Sequence, residues 1–233
     1  MGTALSDLRS KIRRQAAMED ERFISNTELN EKINEAIREA ENIIHDTYEK
    51  YFLSEANLSI TAGTQLVDYP SDIYLNKVLK IIYDSYNDGT GTNRYLVNRI
   101  RRLEDIPFID DQDDYSWLPV NDGTNGRKIK IYPSPRDTTS TTFTIYYIRN
   151  AAALSADDDE CDIDEFEDYV TQHAIVSCLA KDGLSPLQPK AEKRLEDLRI
   201  AMVESLKNMV PDEDNTVIPD ISFYEDYDVG YPE

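Results

Sequence analysis

A block of short alternating segments, set between strongly helical stretches, constrains this chain more than any other feature. It is clearest in Leu58–Tyr83, LSITAGTQLVDYPSDIYLNKVLKIIY. Leu58 and Ile60 alternate with polar residues, Thr61-Ala62-Gly63-Thr64 reads as a turn, and apolar residues resume at Leu66-Val67-Asp68-Tyr69. A Pro70-Ser71-Asp72 break precedes a second apolar run from Val78 to Tyr83. Successive strand side chains point to opposite faces, so period-two alternation bounded by Gly and Pro predicts strands. Further runs follow at Arg94–Ile100, Tyr115–Val120, Lys128–Tyr132 and Thr141–Arg149. Ile129 and Ile131 alternate with Lys128 and Lys130, giving that strand a dry face and a wet one. The run TTFTIYYIRN is β-branched and aromatic on both faces, as a central strand requires. Asn121-Asp122-Gly123 predicts a turn, and Pro133-Ser134-Pro135-Arg136-Asp137 a long hairpin loop between the last two runs. Such short antiparallel strands predict a small sandwich or barrel-like β domain over 58–149.

The flanks are helical. Ser25 and Glu28 match a capping box, and Leu29, Ile33, Ile37, Ala40, Ile44 and Tyr48 then recur at steps of three and four. This predicts one apolar stripe on a helix of about 26 residues, roughly 39 Å long. A helix from about Asp164 to Lys181 carries the charge-free run Val170–Ala180, which predicts a buried central helix. Gly183 caps it, and a turn at Ser185–Pro189 leads to a stripe of Leu187, Ala191, Leu195, Leu198, Met202, Leu206 and Met209. A short helix over 4–17 places Leu5, Leu8 and Ile12 on one face and Arg9, Lys11, Arg13 and Arg14 around the rest, in solvent or against an acidic neighbour. The expected class is α+β. A helical bundle over 1–57 and 150–210 (long N-terminal helix plus C-terminal hairpin) carries an inserted antiparallel β domain over 58–149, followed by an extended acidic tail over 211–233.

Charge narrows the function. The net charge is −21, and it is unevenly spread: residues 1–149 carry 24 acids and 19 bases, residues 150–233 carry 22 acids and 6 bases. Such a field repels nucleic-acid phosphates and anionic membrane headgroups. Arg99, Arg101 and Arg102 are expected to pair with the acidic loop Asp110, Asp111, Asp113 and Asp114, within or between chains. Closely spaced acids in DDDECDIDEFED suggest calcium, but from Asp157 the sixth and twelfth EF-hand positions are Asp162 and Asp168, where Gly and Glu belong. A helix N-terminus carrying Asp162, Asp164 and Glu165 is the better reading. His45 has no His or Cys at ligand spacing, and His173 reads as a core histidine. Cys161 and Cys178 form no CxxC pair, and Cys178, in an apolar helical run, is expected to be a buried reduced thiol. No apolar N-terminal region suggests a signal peptide, and no run approaches the roughly 20 residues that span a bilayer. GxSxG, HExxH and phosphate-cradling Gly-rich motifs are all absent, so neither catalytic residues, metal nor cofactor is expected, and the chain reads as a structural protein.

Residues 211–233 hold eight acids, no bases, and Phe223, Tyr224, Tyr227 and Tyr231. Spaced rings in an acidic tail predict an anchor that orders on a partner. In order, ELNEKINEAIREA, ITAGTQLVDYPSDIY, KIKIYPSPRDTTSTTFTIYYIRNAAALSADDDE and a helical hairpin resemble tailed-bacteriophage head-to-tail adaptor proteins, also called connector, joining or first-ring proteins, over roughly 26–207. The resemblance implies a homo-oligomeric ring, commonly of about twelve copies, beneath the portal protein. It also implies a downstream tail, nozzle or second-ring partner, a place in the virion after assembly in the host cytoplasm, and double-stranded DNA only as passing cargo. It assigns portal binding to a C-terminal extension, here 211–233. The large β block departs from the shorter, all-helical members, and 94–125 carries no landmark of the family. Two other classes compete: an acidic nucleic-acid mimic that inhibits a DNA-binding enzyme, and an acidic hydrolase with paired carboxylates, for which the sequence nominates no pair.

Overall fold

The long apolar stripes become helices, tied together by contacts distant in sequence. The computed structural model describes residues 2–18, 23–61, 63–87, 91–102, 104, 115–123, 126–135, 141–182 and 185–210. Its helices are α1 (Leu5–Gln15), α2 (Asn26–Tyr48), α3 (Glu167–Asp182) and α4 (Gln188–Met209). The Ser25 hydroxyl accepts from the Glu28 backbone N–H at 3.2 Å, satisfying one orphan donor at the start of α2. The stripe residues Leu29, Ile33, Ile37, Ala40 and Ile44 are all buried. α2 gives way to a 3₁₀ turn at Glu49–Phe52, so it is shorter than its stripe predicts. α3 touches α1, α2 and α4, and it begins after a 3₁₀ turn at Asp164–Phe166. Its first-turn acids are therefore Glu167 and Asp168, not the three expected. They hold Lys11, whose ammonium lies 2.8 Å from Glu167 and 3.0 Å from Asp168, while Arg9 pairs with Asp157. The basic face of α1 thus meets an acidic neighbour within the chain. Expected Gly183 lies outside the described residues.

Among the described residues seven strands form one sheet: β1 (Leu53–Ile60), β2 (Leu66–Asp68), β3 (Ile73–Asn87), β4 (Gly91–Arg99), β5 (Ser116–Asn121), β6 (Arg127–Tyr132) and β7 (Thr141–Arg149). Their order is β1-β7-β3-β4-β5-β6-β2. β7 is central, paired antiparallel with β1 and β3, as its two apolar faces predict. It does not form the expected hairpin with β6, which pairs with β5 and β2. A strand apolar on both faces is drawn between two long partners, so chain neighbours need not be sheet neighbours. β5 and β6 do form a hairpin, where Gly123 (φ 70°) donates its N–H to Asn121 Oδ1 at 3.0 Å. β4 and β5 are parallel over Asn98↔Ser116 and Arg99↔Trp117, which makes the sheet mixed. The edge strands β1 and β2 are consecutive and touch, so the sheet nearly closes on itself. Gly63 (φ 76°) supports the turn between them, donating its N–H to the Pro135 carbonyl at 3.0 Å.

This architecture overturns the expected helical bundle with an inserted antiparallel β domain. The chain is α+β, with four helices among the described residues and one nearly closed mixed sheet. The helices are not a self-contained bundle. Their buried cluster takes Phe52 from the 3₁₀ turn, Ile148 from β7, and Leu154, Cys161 and Ile163 from the segment after it. Periodicity shows which helix face is buried, not what covers it, and here the cover comes partly from the sheet. A second cluster, including Ile60, Ile81, Val97, Trp117, Ile129, Ile131, Phe143 and Ile145, fills the sheet interior. Polar groups lock the joint between the two. Asp162 accepts from Arg149 and from the Ala152 N–H, Glu41 accepts from the Ala151 N–H at 2.8 Å, and Asn34 bonds both backbone groups of Leu154 at 2.9 Å. No helix among the described residues is long and apolar enough to cross a membrane.

Candidate functional site

β3 carries the irregularity from which the candidate site is built. Leu75 (φ 46°) and Asn76 (φ 57°) are left-handed, and the register with β7 shifts between Ile73, Val78 and Lys80. Asn tolerates this conformation; a leucine there is strained. On the other side of β3, pairing with β4 reaches only to Ile81↔Val97, while Asn98 and Arg99 stand in register with Ser116 and Trp117 of β5. The first half of β3 and the β5–β6 hairpin therefore splay apart around an open cleft of about 600 Å³.

The cleft is cationic and apolar. Arg99 lies with its guanidinium 5.4 Å from the centre of the Trp117 ring, a cation–π contact. Arg127 and Lys77 also line the cleft, and among the described residues no carboxylate does. Lys77 pairs with Glu49, whereas among the described residues neither guanidinium has a carboxylate partner. Leu75 is 75% exposed and Leu79 40%. Burial pushes the Tyr69 phenol above its ordinary pKa, with Arg99 and Arg127 pulling the other way. Cations, rings and exposed leucines beside a strand edge can bind an acidic, apolar chain. Among the described residues of the lining no nucleophile stands with a base.

The expected site residues are placed unevenly. Arg99 is in the cleft, while Arg101 and Arg102 are exposed beyond the end of β4. Their proposed partners Asp110, Asp111, Asp113 and Asp114 lie outside the described residues, as do Phe223, Tyr224, Tyr227 and Tyr231. Lys77, Leu75, Trp117 and Arg127 were not singled out by the sequence. The available signal was Asn76, a residue suited to a left-handed kink inside an apolar run.

The two cysteines are buried and the two histidines half-buried. The His45 side chain is 3% exposed, stacks on Tyr74 with centroids 3.7 Å apart, and sits 3.5 Å from Glu41 Oε1. Burial holds its pKa below the ordinary value, against the pull of Glu41, and burial does the same to His173. Burial also pushes both thiols, Cys161 and Cys178, up to about 11. Among the described residues no three His, Cys, Asp or Glu side chains gather as a metal site. In the acidic segment whose spacing departs from an EF-hand, Asp159 accepts from the Ser155 and Ala156 N–H groups at 2.6 and 2.7 Å.

Comparison with curated proteins found no match. A family model described as SU10 adaptor protein matches residues 3–216.

Proposed function

The chain belongs to the SU10 adaptor protein family, and from that membership we propose that it is the head-to-tail adaptor of a tailed phage. As a phage adaptor it is a structural protein that works by contacting other phage proteins. In the proposed role, copies form a ring, of about twelve by the habit of such assemblies, that joins the portal to the next tail component and continues the DNA channel. The match over 3–216 carries this reading. The cleft beside β3, with its cations and exposed leucines, is in keeping with it.

Three finer assignments belong to the same proposal. Residues 211–233 anchor the portal through Phe223, Tyr224, Tyr227 and Tyr231. Arg99, Arg101 and Arg102 make contacts between neighbouring copies, with carboxylates such as Asp110, Asp111, Asp113 and Asp114 opposite. Surplus acid lines the channel, so the genome slides without sticking. The test is the native mass of the full chain, alone and with the portal protein of the same phage. A discrete ring in either sample supports the role. A monomer in both, or stable capture by a DNA-handling enzyme instead, overturns it.

A further inference from the structure

Three features of the cleft beside β3 converge on one kind of occupant. Pairing between β3 and β4 stops at Ile81↔Val97, so the earlier half of β3 presents a strand edge to an extended chain. Arg99 and Arg127 flank the opening, and among the described residues the lining holds cations and no carboxylate, which favours an acidic chain. Exposed Leu75 and Leu79, beside Trp117 under its guanidinium, select apolar and aromatic side chains. The protein carries such a chain itself. Residues 211–233 combine eight acids and no bases with Phe223, Tyr224, Tyr227 and Tyr231. Those residues, fully extended, reach up to about 75 Å, enough to cross to a neighbouring molecule.

We propose that residues 211–233 of one copy bind as an added strand in the β3 cleft of a second copy. Carboxylates of the segment meet Arg99 and Arg127, and its rings cover Leu75 and Leu79. The inference rests on the reading that copies associate, and it names the two surfaces that do so. In the free protein the neighbour's cleft holds the segment, and the portal takes it over on docking.

The test is disulfide trapping with full-length chains, because the buried native Cys161 and Cys178 stay out of exchange. A chain with Leu79→Cys is mixed with one carrying Tyr224→Cys under mild oxidant. The expected product is the mixed dimer, at least fivefold above that from Leu66→Cys, an exposed β2 position outside the cleft. Adding Arg99→Glu and Arg127→Glu to the Leu79→Cys chain should cut the yield at least fivefold. Equal trapping at Leu66 and Leu79 overturns the proposal. So does a chain bearing both cysteines that closes only on itself while its native mass shows association. Trapping that fails in a protein whose mass still shows a ring removes this inference alone, whereas a monomer with and without portal removes the ring reading. Trp117 is the only tryptophan of the chain, so its emission gives a second readout. A synthetic 211–233 peptide added to the full chain should change that emission saturably and lose affinity as salt rises. An unchanged emission, with no competition against trapping, counts against the seat.

Discussion

Phe52 holds the two halves of the molecule together at the scale of one side chain. It is 1% exposed, lies in the helical cluster, and stacks edge-on against Tyr51 with the Arg149 guanidinium 5.2 Å above its ring. Phe52→Ala should cost about 3–5 kcal/mol, the range for emptying a large aromatic site. The urea midpoint reads it, and a loss under 1 kcal/mol would mean the joint closes over the gap. His45 gives a pH signature. Its folded pKa is depressed, so the unfolded chain takes up protons below about pH 6.5 while the folded chain resists. Stability is therefore full above that pH and declines as pH falls toward the folded pKa; His173 acts in the same direction. His45→Phe keeps a ring on Tyr74 and cannot titrate, so it should flatten the decline between pH 7.5 and 5.5. An unaltered slope would assign the decline elsewhere.

At the scale of elements, the kink in β3 is where strain and exposure coincide. A left-handed L-residue costs about 1–2 kcal/mol, partly offset in Leu75→Gly by the extra freedom glycine loses on folding. That variant should fold with unchanged or slightly raised stability in urea while weakening association between copies in sedimentation. A loss above about 1 kcal/mol would show that packing, not binding, keeps the leucine. The elements themselves were largely legible. The stripe from Leu29 to Ile44 marked α2, and the two apolar faces of Thr141–Arg149 marked a central strand. Adjacency was not legible, because β6 and β7 follow one another in the chain yet sit on opposite sides of the sheet. Nor was the cover of the helices, since Ile148 and Leu154 reach their cluster from segments with strand or loop patterns. The cleft was hidden for the same reason. Arg99, Trp117 and Arg127 come from three strands, and only the lateral pairing of β4, β5 and β6 brings them around one opening.

For the whole molecule, charge and connectivity set behaviour. Deleting Asp212–Glu233 removes eight acids and no bases, leaving a net of −13, without touching any described helix or strand. The thermal midpoint should stay within a few degrees while portal binding is lost. Undiminished portal binding by the truncated chain would refute the anchor. The joint between helices and sheet has its own consequence. β1 leaves the helical layer at Leu53 and β7 returns to it after Arg149, with Leu53 opposite Ile148 in register. Both covalent ties depart from the same end of one hydrogen-bonded pair, and β7 is bonded in turn to β3. A pull along the strands loads many rungs of that ladder at once in shear, because the bonds run across the pull. A sideways pull opens them one at a time. The molecule should therefore resist a pull along its strands better than one across them, like a tether laid to carry axial load.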